Sequence, residues 1–162
     1  MTGSAALTHV DASGAARMVD VSAKEVTNRT ALATGIVRTT AEVIGLLQDG
    51  NLPKGDALAT ARIAGIMAAK RTPDLIPLCH PIGISGVTVD LQLSGTEIRI
   101  SATVRTTDRT GVEMEALTAV SVAGLTLHDM IKAVDPAAVL DAVRVERKDG
   151  GKTGTWIRPE DR

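Results

Sequence analysis

Two charged side chains, three positions apart, form the first candidate site for proton transfer. Asp129 and Lys132 follow His128 near the end of a predicted long helix, and residues i and i+3 share a helical face. The helix dipole disfavours a carboxylate near a C-terminus, whereas it favours a lysine there. An exposed ion pair would show the same spacing, so the unfavourable position of Asp129 is the observation that favours catalysis.

A second lysine, Lys54, lies just before another predicted helix. The positive end of a helix dipole disfavours a cation, and a lysine whose charged form is disfavoured can accept a proton near neutral pH. We therefore expect Lys54 to be a candidate for acid–base catalysis.

Two glutamates, Glu113 and Glu115, begin the long helix. Acidic residues are favoured in a first helical turn, so a purely structural role is one interpretation. The other is that a carboxylate accepts paired hydrogen bonds from the edge of a guanine. Base stacking is a poor alternative, because the chain has no Phe, no Tyr and one Trp.

The segment from Leu75 to Pro81 contains two prolines and is predicted to be a loop that carries Cys79 and His80. Adjacent residues are a poor zinc-ligand pair, and no second cysteine exists to complete a metal site. They are also a poor nucleophile–base pair, because neighbours in sequence seldom face each other. A loop that presents His80 to a ligand and a merely structural loop both remain open.

A glycine-rich segment, Gly150 to Gly154, contains Gly-Lys-Thr but does not fit a P-loop. The first glycine of that motif would fall at position 146, which is Glu146. Backbone N–H groups together with Lys152 can still hold phosphate oxygens. A flexible hairpin tip is the alternative.

The elements that must position these residues follow the order β-α-(α)-β-β-α-β. This order predicts an α+β fold of the ferredoxin-like, split βαβ type, with an antiparallel sheet and helices on one face. The patterns predict a strand over 29–38 with a bulge at Gly35, a helix from the Thr39 capping box to Gly50, a helix over 55–71 ended by Thr72-Pro73, a hairpin over 87–104 turning at Ser94-Gly95, a helix over 112–134, and a strand over 139–148.

Length and composition predict one domain, residues 1–162, without nucleic-acid or membrane partners. The net charge of -1 gives no basic field for nucleic acid. The N-terminus shows no secretion signal, no apolar run is long enough for a membrane span, and the single cysteine fits a reducing compartment, so we expect a cytoplasmic protein. A core of Ala, Val, Ile, Leu and Met buries little area per residue, which favours a homo-oligomer.

The whole sequence resembles the cyclic pyranopterin monophosphate synthase family, molybdenum cofactor biosynthesis protein C. The resemblance covers nearly the full length and rests on long runs of residues, unlike the short motifs above. These runs are Met18 to Lys24, Lys54 to Asp56, Ala59 to Gly65, Ala69 to Thr72, Leu75 to Pro81, Thr110 to Thr118, Asp129 to Val134, and Gly150 to Gly154.

This resemblance implies a ferredoxin-like subunit in a homohexamer, a trimer of dimers with active sites at dimer interfaces. It implies a lyase that converts 3′,8-cyclo-7,8-dihydroguanosine 5′-triphosphate to cyclic pyranopterin monophosphate and releases pyrophosphate. Lys54, Asp129 and Lys132 match the acid–base set. The residues that match substrate-contacting segments are Leu78, Cys79, His80, Met114 and Glu115, with Glu113 beside them, and those that match basic positions near the triphosphate are Arg29, Lys70 and Lys152.

The sequence departs from the family pattern at two positions beside the acid–base set. His128 stands where an aromatic residue is more usual, and Ile131 where a cysteine is common. Neither change removes a charged group. The sequence shows no cluster of metal ligands, so we expect no metal site and no resident cofactor, although Mg²⁺ could arrive with the triphosphate.

Two rival functions come from other classes of protein. A ferredoxin-like oligomer could be a nucleotide sensor without catalysis, or a purely structural assembly subunit. Pyrophosphate release from the cyclised substrate separates the enzyme from both, and nucleotide binding without turnover would favour the sensor.

Overall fold

A computed structural model of the chain describes residues 9–160. Residues 1–8 and 161–162 lie outside the described residues. Both groups belong to the predicted domain, and residues 1–8 also belong to the N-terminus that is predicted to lack a secretion signal. The elements are β1 (Thr27–Arg38), α1 (Ala41–Asp49), α2 (Ala57–Ala69), α3 (Thr72–Leu75), β2 (Ile84–Ser94), β3 (Glu97–Asp108), α4 (Glu113–Ile131), β4 (Val139–Asp149) and β5 (Trp156–Ile157).

One antiparallel sheet organises the protein, with the strand order β2-β3-β1-β4-β5. In the split βαβ arrangement a third strand is inserted between two strands joined by a helical crossover. Here β3 lies between β1 and β2, and β1 lies between β3 and β4. The predicted α+β, ferredoxin-like fold is therefore confirmed. The short β5, which pairs with β4, was not predicted.

The core lies between the sheet and the helices. Along β1 the alternate residues Ala31, Ala33 and Val37 are buried, as their period-two pattern predicts. Helix α4 packs on β1, β3 and β4, and α2 packs on α4 and β2. Within the described residues, no helix is both long and apolar enough to cross a membrane.

Small residues allow α2 and α4 to approach closely. A Cβ atom added at Gly65 of α2 would lie 2.9 Å from the backbone oxygen of Ala119 in α4. A Cβ added at Gly124 would lie 2.5 Å from the side chain of Leu140 in β4. These contacts fix α4, and with it both of its ends, against the rest of the protein.

Four predicted element boundaries were wrong in detail. The N-cap of α1 is Thr40, whose side chain accepts a hydrogen bond from Val43, whereas the Thr39 hydroxyl donates to Asp135 at 2.7 Å. Thr72-Pro73 begins the one-turn helix α3, because proline is well tolerated in a first helical turn. The two-residue hairpin turn is Gly95-Thr96, since Ser94 pairs with Glu97. Helix α4 ends at Ile131, slightly before the predicted bound.

The predicted irregularity at Gly35 is present, but the extra residue lies on β4. Thr34 pairs with Arg144 while Ile36 pairs with Asp141, so Gly35 faces two residues of the neighbouring strand. One of them, Ala142, has a φ of 52°. A Cβ at Gly35 would lie 2.7 Å from Val120 of α4, so this close packing requires glycine.

Candidate active site

The predicted acid–base residues meet in space at the C-terminal end of α4. Asp129 lies in the last turn of the helix and Lys132 is its C-cap, while Lys54 comes from the loop before α2. One Asp129 oxygen accepts from Lys132 Nζ at 2.8 Å and the other from Lys54 Nζ at 2.9 Å. Lys54 Nζ also donates to the Asp129 backbone oxygen at 2.9 Å. We call Lys54, Asp129 and Lys132 the ion triad.

The ion triad is an open, exposed arrangement. More than half of the Asp129 side chain, 57%, is exposed to solvent. Hydrogen bonds from Lys132 and then Lys54, with the charges of both lysines, lower the pKa of Asp129 to about 2. Asp129 is therefore a carboxylate throughout the neutral range, and both neighbouring lysines are held by a negative charge. The role of Lys54 in acid–base catalysis stays a prediction.

A cavity of about 340 Å³ lies at the opposite, N-terminal end of α4. We call it the glutamate cavity. Its lining comes from the N-terminal segment, the loop after α3 and the start of α4, and comprises His9, Val19, Val21, Lys24, Leu78, Cys79, His80, Ile82, Thr110, Gly111, Glu113, Met114 and Glu115. All six residues predicted to contact substrate at these segments thus lie around one space.

Glu115 is the buried acid of the glutamate cavity, with 2% of its surface exposed. Burial raises the pKa of Glu115 to about 7, and the nearby Glu113 adds to this effect. Glu113 itself is half-buried and pairs with Lys148 Nζ at 3.1 Å. Because a protonated carboxyl can donate as well as accept, Glu115 can present either kind of hydrogen-bonding group to a ligand near neutral pH.

The proline-bounded loop lines this cavity, and one of its side chains is bonded to the N-terminal segment. His80 Nε2 donates to the backbone oxygen of Val19 at 2.7 Å, which fixes that nitrogen as the protonated one. Cys79 is half-buried, and burial followed by the charge of Glu115 raises the pKa of its thiol. A thiol of this kind is a poor nucleophile, in agreement with the sequence-based argument.

A second cavity, of about 690 Å³, carries a positive lining. We call it the cationic cavity. It is formed where the N-terminal segment, the start of β1 and the glycine-rich loop meet, and its lining comprises Ala23, Lys24, Glu25, Thr27, Arg29, Gly151, Lys152 and Thr153. The structure thus brings together two of the three predicted triphosphate-binding cations, Arg29 and Lys152.

The glycine-rich loop requires glycines at positions 150 and 151 because it lies directly on β1. The Gly151 N–H donates to the Thr27 hydroxyl at 3.2 Å, and Gly150 and Gly151 have φ of 97° and 71°. A Cβ at Gly150 would collide with the backbone oxygen of Asn28, and one at Gly151 with the Arg29 guanidinium. Arg29 is also held by its Nε, which donates to the backbone oxygen of Asp108 at 2.9 Å. The loop and Arg29 therefore form one fixed unit beside Lys152.

Lys70, the third predicted triphosphate cation, lies elsewhere. It lines a different cavity with Ile66, Ile82 and Ser85. Ile82 also borders the glutamate cavity, but Lys70 lines neither that cavity nor the cationic cavity that contains Arg29 and Lys152. Its role near the triphosphate stays a prediction.

The ion triad and the glutamate cavity are too far apart within a single chain to act on one ring. The stretch of α4 from Glu115 to Asp129 spans about 21 Å at a rise of ~1.5 Å per residue. Acid–base groups must lie within hydrogen-bond reach of the atoms on which they act. If both sets act on the same ring, each must come from a different subunit.

Sequence reasoning assigned no role to the N-terminal segment, although it lines both cavities. Lys24 borders both spaces, His9 borders one of them, and Val19 holds His80. The run Met18 to Lys24 supported the family resemblance, and this was the signal that could have pointed to it.

Across residues 9–160, no group of three or more His, Cys, Asp or Glu side chains is arranged to hold a metal ion.

The fold and its cavities define a class: a small ferredoxin-like α+β protein with a cationic cavity next to one that contains a buried carboxyl. Comparisons with known proteins narrow this class. The sequence profile of the MoaC family matches residues 18–151. The chain belongs to the MoaC family.

Curated relatives extend the similarity over nearly the whole chain. Cyclic pyranopterin monophosphate synthase 2 of Mycobacterium tuberculosis H37Rv is 65% identical over 152 residues, which cover 94% of this chain and 91% of that protein. Cyclic pyranopterin monophosphate synthase of Streptomyces coelicolor is 67% identical, with 94% and 89% covered. The synthase of Corynebacterium efficiens is 59% identical, with 93% and 97% covered.

Proposed function

We propose that this chain is a cyclic pyranopterin monophosphate synthase. It converts 3′,8-cyclo-7,8-dihydroguanosine 5′-triphosphate to cyclic pyranopterin monophosphate with release of pyrophosphate, a lyase reaction of molybdenum cofactor biosynthesis. The observation that carries this proposal is the name of relatives that are 65% and 67% identical over 94% of the chain. A soluble, cytoplasmic enzyme agrees with the lack of a membrane-spanning helix in the described residues.

The cationic cavity suits the phosphate chemistry of this reaction. The substrate has three phosphates and the product keeps one, so the other two leave together as pyrophosphate. Arg29 and Lys152 at the cavity supply the charge-assisted hydrogen bonds that anionic oxygens require. Mg²⁺ enters with the triphosphate in this proposal, and the protein supplies no resident metal or other cofactor.

The glutamate cavity suits the guanine-derived ring. Hydrogen-bonding groups line it, the imidazoles of His9 and His80 among them, and no Phe, Tyr or Trp does. Glu115 can pair with neighbouring ring N–H groups as a carboxylate, or with a ring carbonyl as a carboxyl, because its pKa of about 7 makes both forms accessible. The positions of Leu78, Cys79, His80 and Met114 around the same cavity support a role for them in holding this ring.

The ion triad supplies the proton transfers. Opening and rebuilding a purine ring requires groups that donate and accept protons repeatedly, and lysine–carboxylate sets are suited to this work. Asp129 holds both ammonium groups in position at 2.8 and 2.9 Å. One lysine donates a proton to the reacting atoms. The other first loses its own proton to the reacting atoms and then, as a neutral amine, accepts a proton from them.

The active site in this proposal is composed from two subunits of a homohexamer. The triad of one subunit meets the two cavities of its neighbour. The groups that act together then come from different chains, so the separation of about 21 Å within one chain (~1.5 Å per residue of α4) does not keep them apart. Large apolar side chains of α2 and α4, Ile63, Met67 and Leu125, are 58%, 54% and 61% exposed and are available for burial between subunits. We expect light scattering to give about six subunits, arranged as a trimer of dimers.

Turnover of the cyclised substrate tests the function directly. The purified chain, incubated with 3′,8-cyclo-7,8-dihydroguanosine 5′-triphosphate and Mg²⁺, should release pyrophosphate and form the cyclic phosphate product. Nucleotide binding without pyrophosphate release would support the sensor instead. If the chain neither binds nor converts the nucleotide, the structural subunit is the remaining function.

A mixed-subunit experiment tests the composite site. Asp129→Asn and His80→Ala subunits, each inactive alone, are coexpressed with different affinity tags and the mixed oligomer is isolated. Random pairing gives about a quarter of the sites two intact halves, so activity should return in the mixed oligomer. No recovery, or an active monomer, would place the whole site in one chain.

A further inference from the structure

A short hairpin of the N-terminal segment carries a histidine to the glutamate cavity. We call residues 9–17 the N-terminal hairpin. Val10 and Ala16 form an antiparallel bridge within it. The Arg17 N–H donates to the backbone oxygen of His9 at 2.9 Å, which closes the open end of the hairpin. Because His9 is exposed and also lines the glutamate cavity, it lies at the mouth of that cavity.

Asp11 holds the turn of the N-terminal hairpin. One of its carboxylate oxygens accepts from the backbone N–H groups of Ser13 and Ala15, at 2.8 and 3.0 Å, and from the Ser13 hydroxyl at 2.6 Å. The hydrogen bond from the Ser13 side chain, with those from the backbone, lowers the pKa of Asp11. Gly14 completes the turn with a φ of 86°, a left-handed conformation that favours glycine. The turn therefore gives His9 a defined backbone position.

The N-terminal hairpin also determines which nitrogen of His9 carries the proton. His9 Nδ1 lies 3.3 Å from the backbone oxygen of Arg17. A carbonyl oxygen only accepts hydrogen bonds, so Nδ1 is the nitrogen that donates. In the neutral imidazole the other nitrogen, Nε2, is then a hydrogen-bond acceptor. Within residues 9–160 no hydrogen bond occupies His9 Nε2, so this acceptor is available to a ligand.

His80, the other imidazole of the glutamate cavity, is held in the same way by its opposite nitrogen. Its Nε2 donates to the backbone oxygen of Val19 at 2.7 Å, which leaves Nδ1 as the acceptor. Both anchoring carbonyls, those of Arg17 and Val19, belong to the N-terminal segment. This segment thus gives the cavity two imidazoles of fixed tautomer, one half-buried and one at the mouth.

A guanine-derived ring has more N–H groups than one carboxylate can accept. The ring N–H and one hydrogen of the exocyclic amino group fit the paired oxygens of a carboxylate such as Glu115. The second amino hydrogen points away from that carboxylate and needs another acceptor. Since Glu115 is buried and Glu113 is already paired with Lys148 at 3.1 Å, an acceptor at the mouth of the cavity is well placed for it. His9 Nε2 is such an acceptor.

We propose that His9 recognises the guanine-derived ring of the substrate, with its Nε2 accepting a hydrogen bond from the exocyclic amino group. This inference rests on the proposed function for the identity of the natural substrate, and it adds a specificity-determining residue to the glutamate cavity. The backbone oxygen of Arg17 positions the imidazole and does not contact the ligand.

Calorimetric titration with GTP and ITP, which differ only in the exocyclic amino group, tests the proposal. The wild type should bind GTP more tightly than ITP. His9→Asn keeps an amide N–H that can donate to the Arg17 oxygen, but it has no group at the position of Nε2. This variant should bind GTP about three- to ten-fold more weakly, the effect of losing one hydrogen bond, and its ITP affinity should not change.

Arg17→Ala is the matched control for His9→Asn. It removes an exposed side chain that lines neither cavity, and it keeps the backbone oxygen that holds His9. Its preference for GTP over ITP should equal that of the wild type. His9→Ala should lose the same preference as His9→Asn, and it carries the test if circular dichroism or oligomer size shows that His9→Asn does not fold.

Four results would overturn the proposal. They are an equal loss of GTP and ITP affinity in His9→Asn, an unchanged preference for GTP in that variant, the same change of preference in Arg17→Ala, and a wild type that does not distinguish GTP from ITP. The proposed function fails separately, if the wild type releases no pyrophosphate from the cyclised substrate while its preference for GTP still depends on His9.

Discussion

The two ends of α4 place acidic residues in opposite environments. At the C-terminal end Asp129 is exposed, paired with two lysines, and has a pKa lowered to about 2. At the N-terminal end Glu115 is buried, lacks a cationic partner among the described residues, and has a pKa raised to about 7. One helix thus holds a permanently charged carboxylate and one that can change its protonation near neutral pH.

This difference separates two tasks that a proton-transfer enzyme must perform. Asp129 keeps its charge and can hold lysines for chemistry, whereas Glu115 can adapt its hydrogen bonding to a neutral ring. Burial and charge pairing shift a carboxyl pKa in opposite directions. We therefore expect changes at the two ends to affect turnover and binding differently.

The largest expected effect is that of Asp129→Asn on turnover. The amide keeps the shape but loses the charge that holds Lys54 and Lys132. Single-turnover kinetics should show a rate lower by ~10²-fold or more, the scale of general acid–base groups. A binding titration should show that substrate still binds, and the oligomer should persist.

Asp141→Asn is the matched control for Asp129→Asn. Asp141 is also an exposed, ion-paired aspartate, 51% exposed and 3.0 Å from Arg38, but it lies on β4 and forms no ion pair with a member of the triad. Turnover should remain at the wild-type level. If Asp129→Asn stays within a few-fold of wild type, Asp129 is only a surface ion-pair partner and the mechanism is wrong.

The next effect is a pH-dependent change of stability caused by Glu115. Its pKa rises from 4.5 unfolded to about 7 folded, so the folded protein favours the protonated form. The stabilising contribution is complete below pH 4.5 and is lost as pH rises through about 7. This difference corresponds to about 3 kcal/mol at most.

Urea denaturation at pH 5.5 and pH 8.5, at one protein concentration, measures this contribution. The wild type should lose stability between these pH values, and Glu115→Gln, which cannot ionise, should lose less. Glu113→Gln changes a half-buried neighbour and serves as the control. Parallel pH profiles in wild type and Glu115→Gln would show that Glu115 is solvated in the folded protein.

A smaller effect is expected from Lys152→Ala in the cationic cavity. The lysine is exposed and makes no hydrogen bond or ion pair within residues 9–160, so folding should be little changed. Substrate affinity should fall by about ten- to a hundred-fold, because a charge-assisted hydrogen bond contributes roughly 1.5–3 kcal/mol. The rate at saturating substrate should fall much less than in Asp129→Asn. Unchanged substrate affinity in Lys152→Ala would show that the glycine-rich loop has only a structural role.

The smallest effect is that of Asp129→Asn on stability. Exposed ion pairs contribute little, since water screens them and their side chains lose entropy on pairing. The midpoint of urea denaturation should therefore match that of the wild type. A clear drop in this midpoint would mean that the triad holds the loop before α2 in place, and a loss of turnover could then have a structural cause.

Local patterns were sufficient for most of the fold. Alternation in β2 and β3 predicted their hairpin, and Gly50, with a φ of 67°, ended α1 as expected. Thr39 and Thr40 could not be distinguished as N-caps, because the deciding interaction is the bond from Thr39 to Asp135. The strand β5 was missed because its two residues carry no periodic pattern.

The candidate site was predictable in part. Asp129 and Lys132 are neighbours on one helix, so their ion pair follows from spacing. The contact with Lys54 joins residues far apart in the chain, and spacing says nothing about it. Lys70 was grouped with Arg29 and Lys152 by charge, but the fold places it in a different cavity.

The sequence by itself determined the order of elements, the family resemblance and the residue types available for chemistry. Such features depend on short-range periodicity and on identity along the chain. The tertiary structure decided which of those residues share a space: it joined Lys54 to Asp129, placed Lys24 between two cavities, and set the triad about 21 Å from Glu115 along a helix with a rise of ~1.5 Å per residue. It also decided the burial that gives Glu115 its raised pKa, because desolvation depends on everything packed around a group and not on its neighbours in sequence.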